Sequence, residues 1–216
     1  MTLQTWHEGR TSLDLLRGDD WAWIGLRSGD GLNRLHSDLL VALDALCIGL
    51  RWSGVRRVAL SGATWMTGKG HHFSAGADLH EVGQLDAISA EPFARRGQRV
   101  MNHLLWPGWR SLTLISGVAM GGGCDLALHG QERWAVAADV SGKGGLRLAH
   151  PAAKHGILTG FGGTARLPEI LGRQGADRLF WGFETWSESD ALGIGAVQRV
   201  VGPEKARDVV QEWLGA

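Results

Sequence analysis

Tyrosine is absent from the 216 residues although tryptophan occurs 11 times, so no phenol is available as a catalytic acid. Only Cys47 and Cys124 occur, both in apolar surroundings and without C-x-x-C spacing, which argues against a disulfide framework and against a cysteine-held zinc ion. They read as buried, reduced thiols. An excess of charge is lacking too: 22 basic and 22 acidic residues cancel and no Lys/Arg block stands out, which disfavours nucleic acid and anionic membrane surfaces as partners. No apolar run approaches the length needed to span a bilayer, and "MTLQTWHEGRTSLDLL" lacks the basic and apolar regions of a secretory leader. The expectation is one cytoplasmic domain with no membrane span.

What is present in quantity is glycine, 33 residues concentrated in particular loops. "WAWIGLRS" (21–28) reads as a buried strand, and "LNRLHSDLLVALDALCIGL" (32–50) carries apolar residues at helical spacing. "VRRVALSGA" (55–63) is a second strand, and helical spacing returns near Ala87 and lasts until Pro107. "RSLTLISGVA" (110–119) is a third strand, followed by three glycines and the helix "CDLALHG". "ERWAVAA" (132–138) is a fourth, and "TARLPEILG" and "GADRLFWG" are short helices after the turn "LTGFGGT". Strands alternating with helices over long connections predict an α/β fold with mainly parallel pairing. Ligands then sit beyond the carboxyl ends of the strands, where both "HHFSAGADL" and "AMGGGCDL" fall.

A glycine-rich turn at a helix N-terminus presents unpaired N–H groups and the positive end of the dipole, which suits an anion. Phosphate motifs fail: "GATWMTGKG" has one residue too many for a P-loop and lacks the following Ser or Thr, and "GVAMGGG" is not G-x-G-x-x-G. G-x-S-x-G is absent as well. An oxyanion hole is left, alongside the plainer reading that glycine only allows close packing.

"HFSAGADLHEV" followed by "ISGVAMGGGCDLAL" resembles the paired signatures of the crotonase, or enoyl-CoA hydratase/isomerase, family. "IGLRSGDGLNRL", "VRRVALSGA", "GILTGFGGTARLPEILG" and "ESDALGIGAVQRVV" extend the similarity in order from about Trp21 to Val201. The resemblance implies a crotonase-like ββα spiral over 1–216 and, as substrate, an acyl-CoA or acyl-carrier-protein thioester. Coenzyme A would enter as part of that substrate, with no separate cofactor and no metal, and the assembly would be a homotrimer or hexamer. It places oxyanion donors on the backbone of Ala77 and Gly122 and substrate-binding positions at Ala75, Gly76, Asp78, Leu79, Gly121 and Gly123. Isomerisation, decarboxylation, hydrolysis and atypical hydration all stay open.

Several residues depart from the family pattern. Asp125 stands where hydratases carry their first catalytic glutamate, and it is either an acid/base or a first-turn residue favourable to the helix dipole. Ala152 stands at the second glutamate, which disfavours ordinary two-glutamate hydration. His150 is the better candidate for a replacement acid or base, with His155 second. Asp30, in "RSGDG", brings an acid to the place expected to face the CoA nucleotide, so Arg27 or Lys69 would have to supply positive charge. Little of the family's C-terminal helical region follows Val201. The alternative function is a catalytically silent binding or assembly subunit.

Overall fold

The computed structural model describes residues 2–8, 11–63 and 72–215. Its strands are β1 (Thr2–Glu8), β2 (Thr11–Arg17), β3 (Trp21–Arg27), β4 (Arg57–Gly62) and β5 (Arg110–Ile115). They continue with β6 (Val118–Met120), β7 (Glu132–Val136), β8 (Arg147–Ala149), β9 (Thr185–Trp186) and β10 (Arg199–Val201). Seven form one sheet in the order β1-β2-β3-β4-β5-β7-β10, and β6-β8-β9 form a second. From β3 to β10 the large sheet is parallel, as the alternation of strands and helices predicts, and β1 and β2 add antiparallel to its edge.

The two N-terminal strands are a difference from the sequence reading, which begins at Trp21. In β2 the inward Leu13 and Leu15 alternate with Asp14, but Asp14 is itself fully buried, which blurs the pattern. Its carboxylate accepts from Thr5 Oγ1 at 3.0 Å and pairs with the Arg27 guanidinium.

Both faces of the sheet are covered, and the side chains alternate accordingly. Ala22, Ile24, Leu26, Val58 and Leu60 face one core, while Trp23 and Ala59 face the other with Leu112, Leu114 and Trp134. The first face carries helix α1 (Ser37–Trp52), whose Leu39, Leu40, Leu43, Cys47 and Leu50 are buried. Short helix α2 (Leu79–Val82) precedes α3 (Ala90–His103), and α4 (Gly122–His129) follows β6. The segment labelled α5 (Gly163–Phe180) is broken at Gly172, whose φ of +68° and ψ of 166° are not helical, so its two halves are the two short helices read from sequence. Helix α6 (Glu188–Gly193) leads to β10, and α7 (Ala206–Gly215) lays Ala206, Val210 and Leu214 on the second face.

Two boundaries are corrected. The strand expected over 110–119 breaks at Gly117, whose φ of +53° turns the chain from β5 into β6 and so from one sheet to the other. The helix expected from Leu32 begins at Ser37, because Asn33 takes a positive φ of 49°. The Asn33 side-chain amide instead donates to the carbonyls of His72 and Phe73, each at 3.1 Å.

Between α1 and α3, Asp44 accepts from His103 Nε2 at 2.8 Å and from Arg99 at 3.1 Å. Burial raises the Asp44 pKa, but the His103 and Arg99 hydrogen bonds outweigh it and hold the group below its ordinary 3.8. Burial also holds His103 below its ordinary 6.5 despite Asp44, and His129 is lowered by burial in the same way. A histidine lowered in the folded state gives its full contribution above about pH 6.5 and loses it as pH falls from there; the lowered Asp44 acts in the same direction below about pH 4. The urea midpoint is expected to fall between about pH 7.5 and about pH 5, and His103→Gln, which keeps a donor to Asp44, to flatten part of that fall. An unchanged slope in the variant would remove His103 from this role.

Candidate active site

Three segments cross beyond the ends of β4 and β5. Residues 33–35, 72–78 and 116–123 are stitched together by Ser74, whose hydroxyl donates to Asn33 O at 2.7 Å and accepts from Gly76 N at 3.2 Å. Ser74 O accepts from Met120 N at 3.0 Å. The glycines are needed for this crossing. A Cβ on Gly76, which has φ +95°, would lie 2.3 Å from Met120 O, and one on Gly123 would lie 2.3 Å from Ser74 O.

The crossing leaves two N–H groups unused. Leu35 N donates to Gly76 O at 2.8 Å and Asp78 N donates to Leu35 O at 3.2 Å, so the intervening Ala77 has its own N–H turned away from Leu35. Gly122 is the first residue of α4, where an N–H has no partner within the helix. Among the described residues neither N–H meets an acceptor. The two loops are in contact: the Cβ position of Gly76 is 3.3 Å from Gly122 N. Gly121, at φ +53°, sets up the turn, its N–H donating to Ala149 O and its carbonyl accepting from Asp125 N, both at 3.0 Å.

Asp125 does not cap the helix. Its carboxylate is fully buried and points back toward β8 and the loop before α5. His150 Nε2 lies 3.2 Å from Oδ1, and the Thr159 hydroxyl donates to Oδ2. Thr159 Oγ1 also accepts from Phe161 N at 3.2 Å, which ties the loop to the carboxylate. Gly163 makes the space, since a Cβ there would lie 1.8 Å from Oδ1. His150 is buried against Phe180, ring centroids 4.6 Å apart, and its Nδ1 has no partner among the described residues. The backbone carbonyl of Asp125 accepts from His129 Nδ1 at 2.6 Å.

The other sequence candidates fall as follows. Asp78 caps α2, accepting from His80 N at 2.9 Å, and Leu79 beside it is exposed. Ala75 N donates to Leu32 O at 2.8 Å. Arg27 is engaged by Asp14. Asp30 is no bare acid: the Leu32 N–H, the Ser28 hydroxyl and Arg34 hold its carboxyl down at about 2. Arg34 is thereby a basic group at this turn that the sequence reading passed over. Lys69 lies outside the described residues. Ala152 sits in a 3-10 turn (Pro151–His155) after His150, and His155 is exposed at its end. Cys47 is buried, which pushes its thiol up to about 12, and burial raises that of Cys124 well above its ordinary value. Thr159, Phe161, Ser74 and Asn33 were not singled out from sequence. Only the turn composition of "LTGFGGT" marked the neighbourhood of the first two.

Residues 59–216 match the family described as Enoyl-CoA hydratase/isomerase. The chain belongs to that family. It is 31% identical over 192 residues to a short-chain-enoyl-CoA hydratase of Clostridium acetobutylicum, covering 88% of this chain and 69% of that protein. A crotonyl-CoA hydratase of Syntrophomonas wolfei is 32% identical over 151 residues, 69% of this chain and 55% of its own length. Among solved structures, Pseudomonas aeruginosa DspI superposes with a TM-score of 0.82 at 29% identity, over 94% of this chain and 73% of that one. An enoyl-CoA hydratase from Thermoplasma volcanium shares the fold with a TM-score of 0.81 at 24% identity, over 94% and 77%. The α/β fold is therefore that of the crotonase family.

Proposed function

We propose that this chain binds the thioester carbonyl of an acyl-CoA between the N–H groups of Ala77 and Gly122 and moves a proton at the adjacent carbons with Asp125. The observation that carries the reading is the pair of unused donors on two touching loops, one of them at a helix N-terminus. Donors fixed in advance stabilise the negative charge that gathers on the carbonyl oxygen in an enolate and need no rearrangement as it forms. The hydratase names of the relatives favour addition of water to an enoyl thioester. With Ala152 in place of a second acid, one carboxylate does both halves: Asp125 accepts a proton from water as its oxygen bonds to the β carbon. It then returns a proton to the α carbon as the enolate collapses. His150 acts through Asp125, holding Oδ1 while Thr159 holds Oδ2. An acyl group on a carrier protein would present the same carbonyl.

One observation favours a second reading, a member that binds without turnover: the Asp125 carboxylate has no exposed surface. Calorimetric titration with crotonyl-CoA, followed by mass spectrometry of the incubated mixture, separates the readings. Heat of binding with a product 18 mass units heavier is the expected result of adding one water. Binding with no product would favour the silent reading, and no binding would sink the CoA thioester assignment.

A further inference from the structure

The residue that covers Gly122 is Phe161. A Cβ on Gly122 would lie 2.8 Å from Phe161 Cδ2 and 3.4 Å from Leu35 Cδ1, so the ring rests directly on the Gly122 backbone. On its other side the ring presses on α3, where a Cβ on Gly97 would lie 2.1 Å from Phe161 Cδ1. Glycine is unfavourable inside a helix relative to alanine, and at Gly97 the ring occupies the space a side chain would need. Phe93 packs on the same ring, centroids 5.2 Å apart. The ring is 4% exposed and sits two residues from Thr159, which holds Asp125.

The geometry points to Phe161 as the residue that sets the depth of the acyl pocket, restricting the site to thioesters of short acyl groups. This rests on the thioester reading above. With the carbonyl oxygen at Gly122 N and the α and β carbons beside Asp125, the next carbons of the chain run into the Phe161 ring, which is wedged against Gly97 of α3 and Phe93. The neighbours of the ring, Phe93 and the glycines Gly97 and Gly122, add no polar side chain, so a longer chain is rejected by steric overlap.

The test is calorimetric titration of the full chain with CoA, acetyl-CoA, butyryl-CoA and octanoyl-CoA, in the wild type, Phe161→Ala and Phe161→Leu. One methylene in an apolar pocket discriminates by about tenfold or more, so the wild type is expected to bind butyryl-CoA at least about tenfold tighter than octanoyl-CoA. That ratio is expected to fall to about unity in Phe161→Ala and partway in Phe161→Leu. Phe161→Leu serves if the alanine variant does not fold, and Gly97→Ala, which drives the ring toward Gly122, should weaken butyryl-CoA binding. Equal binding of butyryl- and octanoyl-CoA by the wild type would overturn the inference and leave the thioester reading standing. So would an unchanged ratio in folded Phe161 variants, which would make the ring mere core filling. Failure of every CoA compound to bind the wild type would overturn both.

Discussion

Replacing Gly122 by proline is expected to lower kcat/KM for crotonyl-CoA about 10²–10³-fold relative to Gly122→Ala, the size of effect found when one oxyanion donor is lost. The comparison with alanine matters because any Cβ at this position meets Phe161. Alanine adds the Cβ and keeps the N–H; proline adds the Cβ and deletes the N–H. Proline is tolerated at the first position of a helix, whose N–H is free in any case, so α4 has no backbone reason to unfold. Thermal unfolding of both variants checks this. Equal activities in two folded variants would remove Gly122 from the oxyanion role.

Asp125→Asn is expected to lower kcat by about 10²–10⁴-fold, because the amide keeps the shape of the carboxylate but cannot take a proton. His150 offers the discriminating comparison. Removing its donor with His150→Leu leaves one oxygen of a buried carboxylate without a partner, at a cost of about 2 kcal/mol in stability, and should lower kcat more than KM. His150→Gln, which can still donate to Oδ1, is expected to recover most of that loss. If His150 acts through Asp125, His150→Leu added to Asp125→Asn costs no further activity. Full additivity would instead make His150 an independent acid or base.

The central parallel sheet was legible because both its faces are buried and its strands are short apolar runs closed by glycine, as in "VRRVALSGA". The glycines around Gly76 and Gly122 were legible for a related reason: close backbone approach leaves no room for another residue. The edge strands were not, since between the inward Leu13 and Leu15 β2 carries a buried Asp14 whose partners, Thr5 and Arg27, come from neighbouring strands. The surroundings of Asp125 were half legible. Sequence placed Asp125 and His150 among the candidates, but their approach depends on β8 lying beside β6 in the second sheet, a non-local pairing with no local signature. Thr159 lies 34 residues from Asp125, and nothing in "LTGFGGT" points to a carboxylate. Arg27 and Asp30 show the converse: charges that look available along the chain are already paired in space.

The central claim is that the carbonyl oxygen of a thioester sits between Ala77 N–H and Gly122 N–H. Isotope-edited infrared spectroscopy of crotonyl-CoA labelled with ¹³C at the thioester carbonyl measures this directly, because hydrogen bonding to the oxygen lowers the C=O stretching frequency. The expected result is a band moved to lower frequency on binding to the wild type and to Gly122→Ala, and moved less in Gly122→Pro. A carbonyl band that binding leaves at its position in water or higher, or one equally lowered in Gly122→Pro, would contradict the claim.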